Sequence, residues 1–161
     1  MAQALIHDEL EISYPDGFAQ MSAEELRQAY NSPYPNIWGI RDTERHMMLA
    51  VFWKDSSELA SKFASTEQLA KRAEKQLAKG MRKNAYRLGG TFVTSIAGCE
   101  AHGFRYTFTA VGDVAQEAET IVFKRGKTCY TLYYYTRPET AAANRPVHDA
   151  ILAALRFARA K

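Results

Sequence analysis

The sequence predicts an α+β domain in which an antiparallel sheet lies between helices. Four β-rich runs, at 91–96, 103–110, 117–124 and 128–135, follow one another with short connections. Short connections join antiparallel strands, because a parallel pairing needs a crossover of about a dozen residues or more. Two of the runs are apolar on both faces, which indicates a covering layer on each side. Amphipathic helical patterns precede and follow the four runs and can supply those layers.

The alternation within the runs indicates which faces are covered. In the last run one face carries Tyr130, Leu132 and Tyr134, and the other carries Thr131, Tyr133 and Tyr135. The 103–110 run differs, because its aromatic residues alternate with arginine and threonine. We therefore expect one face of that strand to meet solvent or a cleft. Gly126 lies between the last two runs and suits a hairpin turn, because glycine adopts positive φ without steric cost.

The first third of the chain predicts a strand, a helix and a hairpin. Residues 9–14 form a strand that ends at a Pro-Asp-Gly turn. Ser22 followed by Glu25 is a capping box, which predicts the start of a helix. Residues 36–41 and 46–53 form a hairpin with a polar tip. This hairpin is expected to extend the sheet.

Two helical patterns follow, at 57–64 and 66–83. Ser65 and Gln68 form the capping box of the longer helix. One arc of it is apolar and is expected to lie on the sheet: Leu69, Ala70, Ala73, Leu77, Gly80 and Met81. We expect Gly80 to permit a close backbone approach, since glycine inside a helix costs about 1 kcal/mol relative to alanine.

The chain ends in a fourth helical region. Pro138 suits a first helical turn, and Asn144 is predicted to cap a restart of the helix near Pro146. Ile151 and Leu155 recur at helical spacing and are expected to be buried.

Length and composition predict one globular domain spanning residues 1–161. The chain is 47% hydrophobic and 12% aromatic, which excludes a disordered protein. It has no run of about 18 apolar residues, so we expect no membrane-spanning helix. The N-terminus resembles no secretory signal, and Cys99 and Cys129 are too few for a disulfide framework. A cytoplasmic protein with two free thiols is the resulting expectation.

The element order resembles one known family. A strand ending in ISYPDGF, a polar-tipped hairpin, a long helix over 66–83, a strand meander and a C-terminal helix are similar to the PsbP-like superfamily. The resemblance covers nearly the whole chain and concerns element order, not a catalytic motif. It implies an antiparallel sheet of about six strands between helices, and a role in binding or assembly. A helix-grip or cystatin-like domain is the alternative fold.

The clearest candidate site is a basic surface on the long helix. Residues 66–83 carry a net charge of +4, whereas the whole chain carries +3. Six basic residues lie opposite the apolar arc, and we call them the basic ridge: Lys71, Arg72, Lys75, Lys79, Arg82 and Lys83. Such a face is either an ordinary solvated helix surface or a docking site for an acidic protein partner. No aromatic residue lies between the lysines, so we do not expect nucleic acid to bind.

The tyrosines are the second candidate site. Tyr106, Tyr133 and Tyr135 line an amphipathic ligand pocket if they share a face of the sheet, and otherwise belong to the core.

The remaining chemistry-bearing residues predict little. The four histidines show no metal-binding spacing, no glycine-rich loop opens a helix, and we expect no metal or cofactor. We interpret His148 as a surface residue at a helix start. Cys99, three residues before His102, is a candidate nucleophile, although a structural thiol is the simpler interpretation. The sequence therefore favours a non-catalytic binding or assembly protein, with a ligand-binding domain or a hydrolase with a tyrosine-lined pocket as the alternative.

Overall fold

The structure is a computed structural model that describes residues 1–30, 35–55 and 64–158. Three α-helices are described: α1 (Ala23–Tyr30), α2 (Thr66–Gly80) and α3 (Ala141–Ala154). Ten strands are described: β1 (Ala2–Ile6), β2 (Leu10–Tyr14), β3 (Ala19–Gln20), β4 (Ile37–Asp42), β5 (Met47–Asp55), β6 (Arg87–Ile96), β7 (Cys99–Ala110), β8 (Val114–Arg125), β9 (Thr128–Thr136) and β10 (Arg156–Phe157). Short 3₁₀ turns follow α2 and precede α3.

The strands form two antiparallel sheets. The larger sheet has seven strands in the order β3-β4-β5-β9-β8-β7-β6, and the smaller has three in the order β1-β2-β10. The predicted meander is confirmed as β6 to β9, and Gly126 has φ 58° in its last turn. Ten strands are described where about six were expected, so that number is corrected. Two of the additional strands, β3 and β10, have two residues each, too few for a periodic pattern.

Each face of the larger sheet is covered. On one face, α1 and α2 pack over aromatic and small side chains from β5, β7, β8 and β9. On the other face, α3 and the smaller sheet enclose the main core, which includes Ile12, Leu132, Ile151 and Leu155. The α+β class and the two covered faces predicted from the sequence are therefore confirmed. A small sheet supplies part of one layer that was expected to be helical.

Three local predictions are wrong. The helix predicted over 66–83 ends at Gly80, and a 3₁₀ turn follows it. A Cβ built on Gly80 meets no heavy atom within 4 Å, so this glycine permits no close approach. Asn144 does not cap a restart, because α3 runs continuously through Pro146 and the Asn144 amide donates to the Arg45 carbonyl at 2.7 Å. The predicted helix at 57–64 lies almost wholly outside the described residues.

Candidate functional site

A cleft of about 930 Å³ opens on the face of the sheet that carries α1 and α2. Its walls come from the C-terminal parts of the two helices, with Tyr30 on one side and Leu77 and Met81 on the other. Its floor consists of sheet side chains that are apolar or aromatic: Met48, Phe52, Phe108, Tyr133 and Tyr135. Pockets for small organic ligands have volumes of about 300–1,000 Å³ and mostly apolar linings. The cleft has the size and character of such a pocket.

Strand register explains why the tyrosines meet on this face. Tyr135 pairs with Met48 on one side and with Ala118 on the other, and Ala118 pairs with Tyr106. Directly paired residues point to the same face of a sheet. The three tyrosines therefore share a face, but only Tyr133 and Tyr135 line the cleft. Tyr106 is 2% exposed and lies in the core beside it.

Aromatic rings pack around one another at the floor of the cleft. The ring of Tyr30 stacks on Tyr135 with centroids 5.5 Å apart, and Phe52 meets Tyr133 edge-on at 5.0 Å. Each such pair adds about 0.5–1.5 kcal/mol beyond the apolar area that it buries. Burial raises the pKa of Tyr133 to about 12, so its hydroxyl is neutral at physiological pH. The floor thus offers apolar surface and neutral hydroxyl groups.

In the wall of the cleft, the hydroxyl of Tyr30 is buried and has no hydrogen-bond partner in the described parts of the chain. Leaving a buried hydroxyl unpaired costs about 1–3 kcal/mol. A ligand that reaches this oxygen would recover part of that cost.

One end of the cleft is cationic. Arg41, His46 and Arg137 line it where β4 and β9 end and β5 begins. Asp42 also lies there, but its carboxylate accepts two backbone N–H bonds at 3.0 Å and pairs with Arg45. The cleft therefore joins an aromatic floor to a positively charged end.

The basic ridge lies on the outer side of α2 and the turn that follows it. Its six side chains are all exposed: Lys71, Arg72, Lys75, Lys79, Arg82 and Lys83. Within the described ranges, one of them makes an ion pair, from Lys71 to Glu67 at 3.3 Å. An ion pair between two such exposed groups is worth about 0–1 kcal/mol. The segregation of charge from the apolar arc is as expected, while a partner for the ridge stays a prediction.

A buried polar cluster between β8 and α3 was missed by the sequence reasoning. Glu119 is 2% exposed and accepts hydrogen bonds from His148 Nε2 at 2.7 Å, Arg105 Nε at 3.1 Å and Arg145 Nη1 at 3.3 Å. The His148 ring is parallel to Tyr134 with centroids 3.7 Å apart. The interpretation of His148 as a surface residue is therefore wrong.

The sequence held one indication of this cluster. Glu119 shares a face of its strand with the apolar residues Ile121 and Phe123, and a carboxylate in that position needs a cationic partner. Arg145 on α3 is such a partner, and His148, three residues further along the same helix, adds a hydrogen bond. The cluster joins α3 to the sheet. Because His148 is 1% exposed, the cluster stabilises the packing of α3 on the sheet and is not an accessible acid–base site.

The cysteines show no arrangement for catalysis. Both are free, and burial raises the pKa of each thiol. The His102 ring is within 3.0 Å of the Glu100 carboxylate, and residues three apart in a strand point to opposite faces, so His102 does not activate Cys99. The described residues contain no cluster of histidine, cysteine or carboxylate side chains suited to a metal ion. No described helix has the length and apolar character needed to cross a membrane.

No known family model matches the chain, and no curated protein matches its sequence. Solved structures do match. The solution structure of cyanobacterial PsbP (CyanoP) from Synechocystis sp. PCC 6803 aligns over 92% of this chain and 86% of its own, with a TM-score of 0.66 and 14% sequence identity. LpqN of Mycobacterium tuberculosis, involved in cell envelope biogenesis, aligns over 93% and 83%, with a TM-score of 0.64 and 11% identity.

A third match is a Pseudomonas aeruginosa protein of unknown function, PA94, described as a putative regulator. It aligns over 100% of this chain and 99% of its own, with a TM-score of 0.60 and 13% identity. Likeness at these identities concerns the fold alone. The predicted resemblance is confirmed at that level: this chain has a PsbP-like fold.

Proposed function

We propose that the protein is a non-catalytic binding protein that holds a small organic ligand in the cleft between α1 and α2. The observation that carries this proposal is the cleft itself, with its floor of Met48, Phe52, Phe108, Tyr133 and Tyr135. Methionine and aromatic side chains adapt to varied apolar shapes. Binding, not catalysis, is favoured because burial keeps the tyrosine hydroxyls neutral and the one carboxylate of the described lining, Asp42, is already paired.

A cleft-filling substitution tests this proposal. Gly80 lines the cleft, and no heavy atom lies within 4 Å of a Cβ built on it, so Gly80→Trp adds an indole at the margin of the cleft without displacing a neighbour. Lys79→Trp is the matched control, because it puts the same side chain on the exposed outer side of the same helix turn. The measurement is binding of the uncharged dye Nile red, followed by its fluorescence.

We expect the wild type and Lys79→Trp to bind the dye alike, and Gly80→Trp to bind it at least about tenfold more weakly, since most of the apolar contact area is filled. Circular dichroism would first establish that both variants are folded. Equal binding by all three proteins would show that the cleft is not a binding site.

Docking of an acidic protein partner on the basic ridge is the second candidate function. The observation that favours it is that the six ridge side chains are exposed and, in the described part of the chain, one ion pair neutralises only Lys71. Unpaired surface charge of one sign accelerates association with a partner of the opposite sign, and salt screens the effect. The ridge lies next to the cleft wall, so one helix can serve both functions.

A charge reversal tests the ridge. Lys75→Glu with Lys79→Glu is expected to keep native stability and to slow association with an acidic partner recovered from native cell extract. Arg87→Glu with Lys127→Glu makes the same change of charge at exposed positions off the ridge and serves as control. Salt-insensitive binding, or equal rates for the two double variants, would make the ridge an ordinary solvated surface.

The location that we propose is the cytoplasm. Support comes from Cys99 and Cys129, which are both free, because free thiols are typical of a reducing compartment. Fractionation of the source cells, with detection of the untagged protein, tests this assignment.

A further inference from the structure

We propose that the ligand of the cleft is an amphipathic carboxylic acid whose carboxylate binds at Arg137 and whose apolar body lies on the aromatic floor. This inference rests on the proposed function and adds the class and the orientation of the ligand.

Arg137 is the group best placed to receive an anion. Its backbone is held on both sides: its N–H donates to the His46 carbonyl at 3.3 Å, and its carbonyl accepts from the hydroxyls of Thr136 at 3.2 Å and Thr140 at 3.3 Å. Pro138 follows it and restricts the chain further. Within the described ranges its guanidinium makes no hydrogen bond or ion pair, although it lines the cleft. The hydrogen-bonded backbone fixes where this side chain begins, and its guanidinium, without a partner in the described residues, is available to bind an anion.

The other charges at this end do not cancel Arg137. Arg41 pairs with Glu25, and Asp42 pairs with Arg45, so each of these two pairs is neutral. Arg137 is therefore left as the net charge of this end.

The dipoles of α1 and α2 disfavour an anion in the cleft. The C-terminal ends of α1 and α2 both line the cleft, and each carries about half a negative charge. The end of α2 and the turn after it also carry three cationic side chains of the basic ridge, Lys79, Arg82 and Lys83, which offset the partial negative charge of this helix end. The full charge of Arg137, which lines the cleft itself, remains to bind an anionic group.

The rest of the ligand is determined by the floor. From the cationic end the lining continues over Met48, Tyr135 and Phe108 to Phe52 and Tyr133, side chains that bind apolar surface. A fully charged or strongly polar ligand would leave this surface without apolar contact. A ligand with one anionic end and an apolar body satisfies both regions, because apolar burial supplies affinity and the guanidinium sets direction.

The test compares three probes with the same ten-carbon chain: decanoate, decanol and decyltrimethylammonium, each below its critical micelle concentration. Isothermal titration calorimetry measures their dissociation constants for the wild type and for Arg137→Gln. Arg87→Gln is the matched control, because Arg87 is exposed and lies opposite Thr107 on the face of the sheet away from the cleft.

We expect decanoate to bind the wild type about tenfold or more tightly than decanol, since hydrogen bonds to charged groups are the stronger ones. Arg137→Gln should remove most of that difference and leave decanol binding unchanged, while Arg87→Gln should change neither. Decanol binding as tight as decanoate, a preference for the cation, or an unaltered decanoate affinity in Arg137→Gln would each overturn the inference.

The two proposals fail in different ways. If all three probes bind equally and Gly80→Trp blocks them, the cleft remains a binding site and only the anionic ligand class is wrong. If no probe binds and Gly80→Trp leaves Nile red binding unchanged, both proposals are wrong.

Discussion

Replacing Glu119 by glutamine is expected to destabilise the protein in a pH-dependent way. The carboxylate of Glu119 accepts hydrogen bonds from His148, Arg105 and Arg145 inside the protein. Burial alone would raise the pKa of Glu119, but the hydrogen bond from His148 and the charge of Arg145 lower it from 4.5 to about 2. At about 1.36 kcal/mol per pKa unit, the ionised carboxylate stabilises the fold by about 3 kcal/mol.

The sign of the pH dependence follows from the direction of this shift. A lowered pKa in the folded state means that the unfolded chain binds the proton more tightly, so the stabilisation is present above pH 4.5 and is lost as the pH falls towards 2. Glu119→Gln has no such proton to bind. The difference in unfolding free energy between wild type and variant should therefore be about 3 kcal/mol at pH 6 and shrink by about 2 kcal/mol at pH 3.

Urea unfolding followed by circular dichroism, at pH 6, 5, 4 and 3, measures this difference. Glu117→Gln is the matched control, because Glu117 lies on the same face of β8 and makes no ion pair in the described parts of the chain. It should change stability by less than about 0.5 kcal/mol. A Glu119→Gln variant as stable as the control at pH 6, or a difference that does not shrink on acidification, would refute the account of the cluster.

Two further predictions concern the core and the thiols. Ile151→Ala should lower the unfolding free energy by about 2–5 kcal/mol in urea denaturation, because Ile151 is 2% exposed in the main core; an unchanged midpoint would show that α3 does not anchor the fold. Quantitative thiol labelling of the denatured, unreduced protein should find both Cys99 and Cys129 reactive, since both are free in the structure. Fewer than two labelled cysteines per chain would contradict the prediction of two free thiols.

Local patterns sufficed for most of the fold. Alternation over 103–110 predicted one apolar face on β7, and the apolar character of both faces over 128–135 predicted that β9 is covered on both sides. The Ser65–Gln68 capping box is present with both of its hydrogen bonds. These features depend on residues that are close in sequence, so periodicity and capping rules apply to them directly. The two-residue strand β10 (Arg156–Phe157) has no such pattern. It exists because the chain after α3 returns to β2.

The two candidate sites differ in how far the sequence alone predicts them. The charge segregation on α2 could be read from helical periodicity, because every residue of the basic ridge lies on one helix and its turn. The cleft depends on which strands are neighbours, since Tyr135 meets Met48 and Ala118 only through the pairing of β9 with β5 and β8.

Tertiary structure alone decided where the charged side chains of the buried cluster and of the cleft lie. His148 and Glu119 are 29 residues apart, and their contact required α3 to pack on the face of β8 that carries Glu119. Arg137 gained its place at the cleft because β9 ends beside the start of β5. Side-chain patterns within one element determine what that element buries, whereas contacts between distant elements depend on packing, which one-dimensional patterns do not encode.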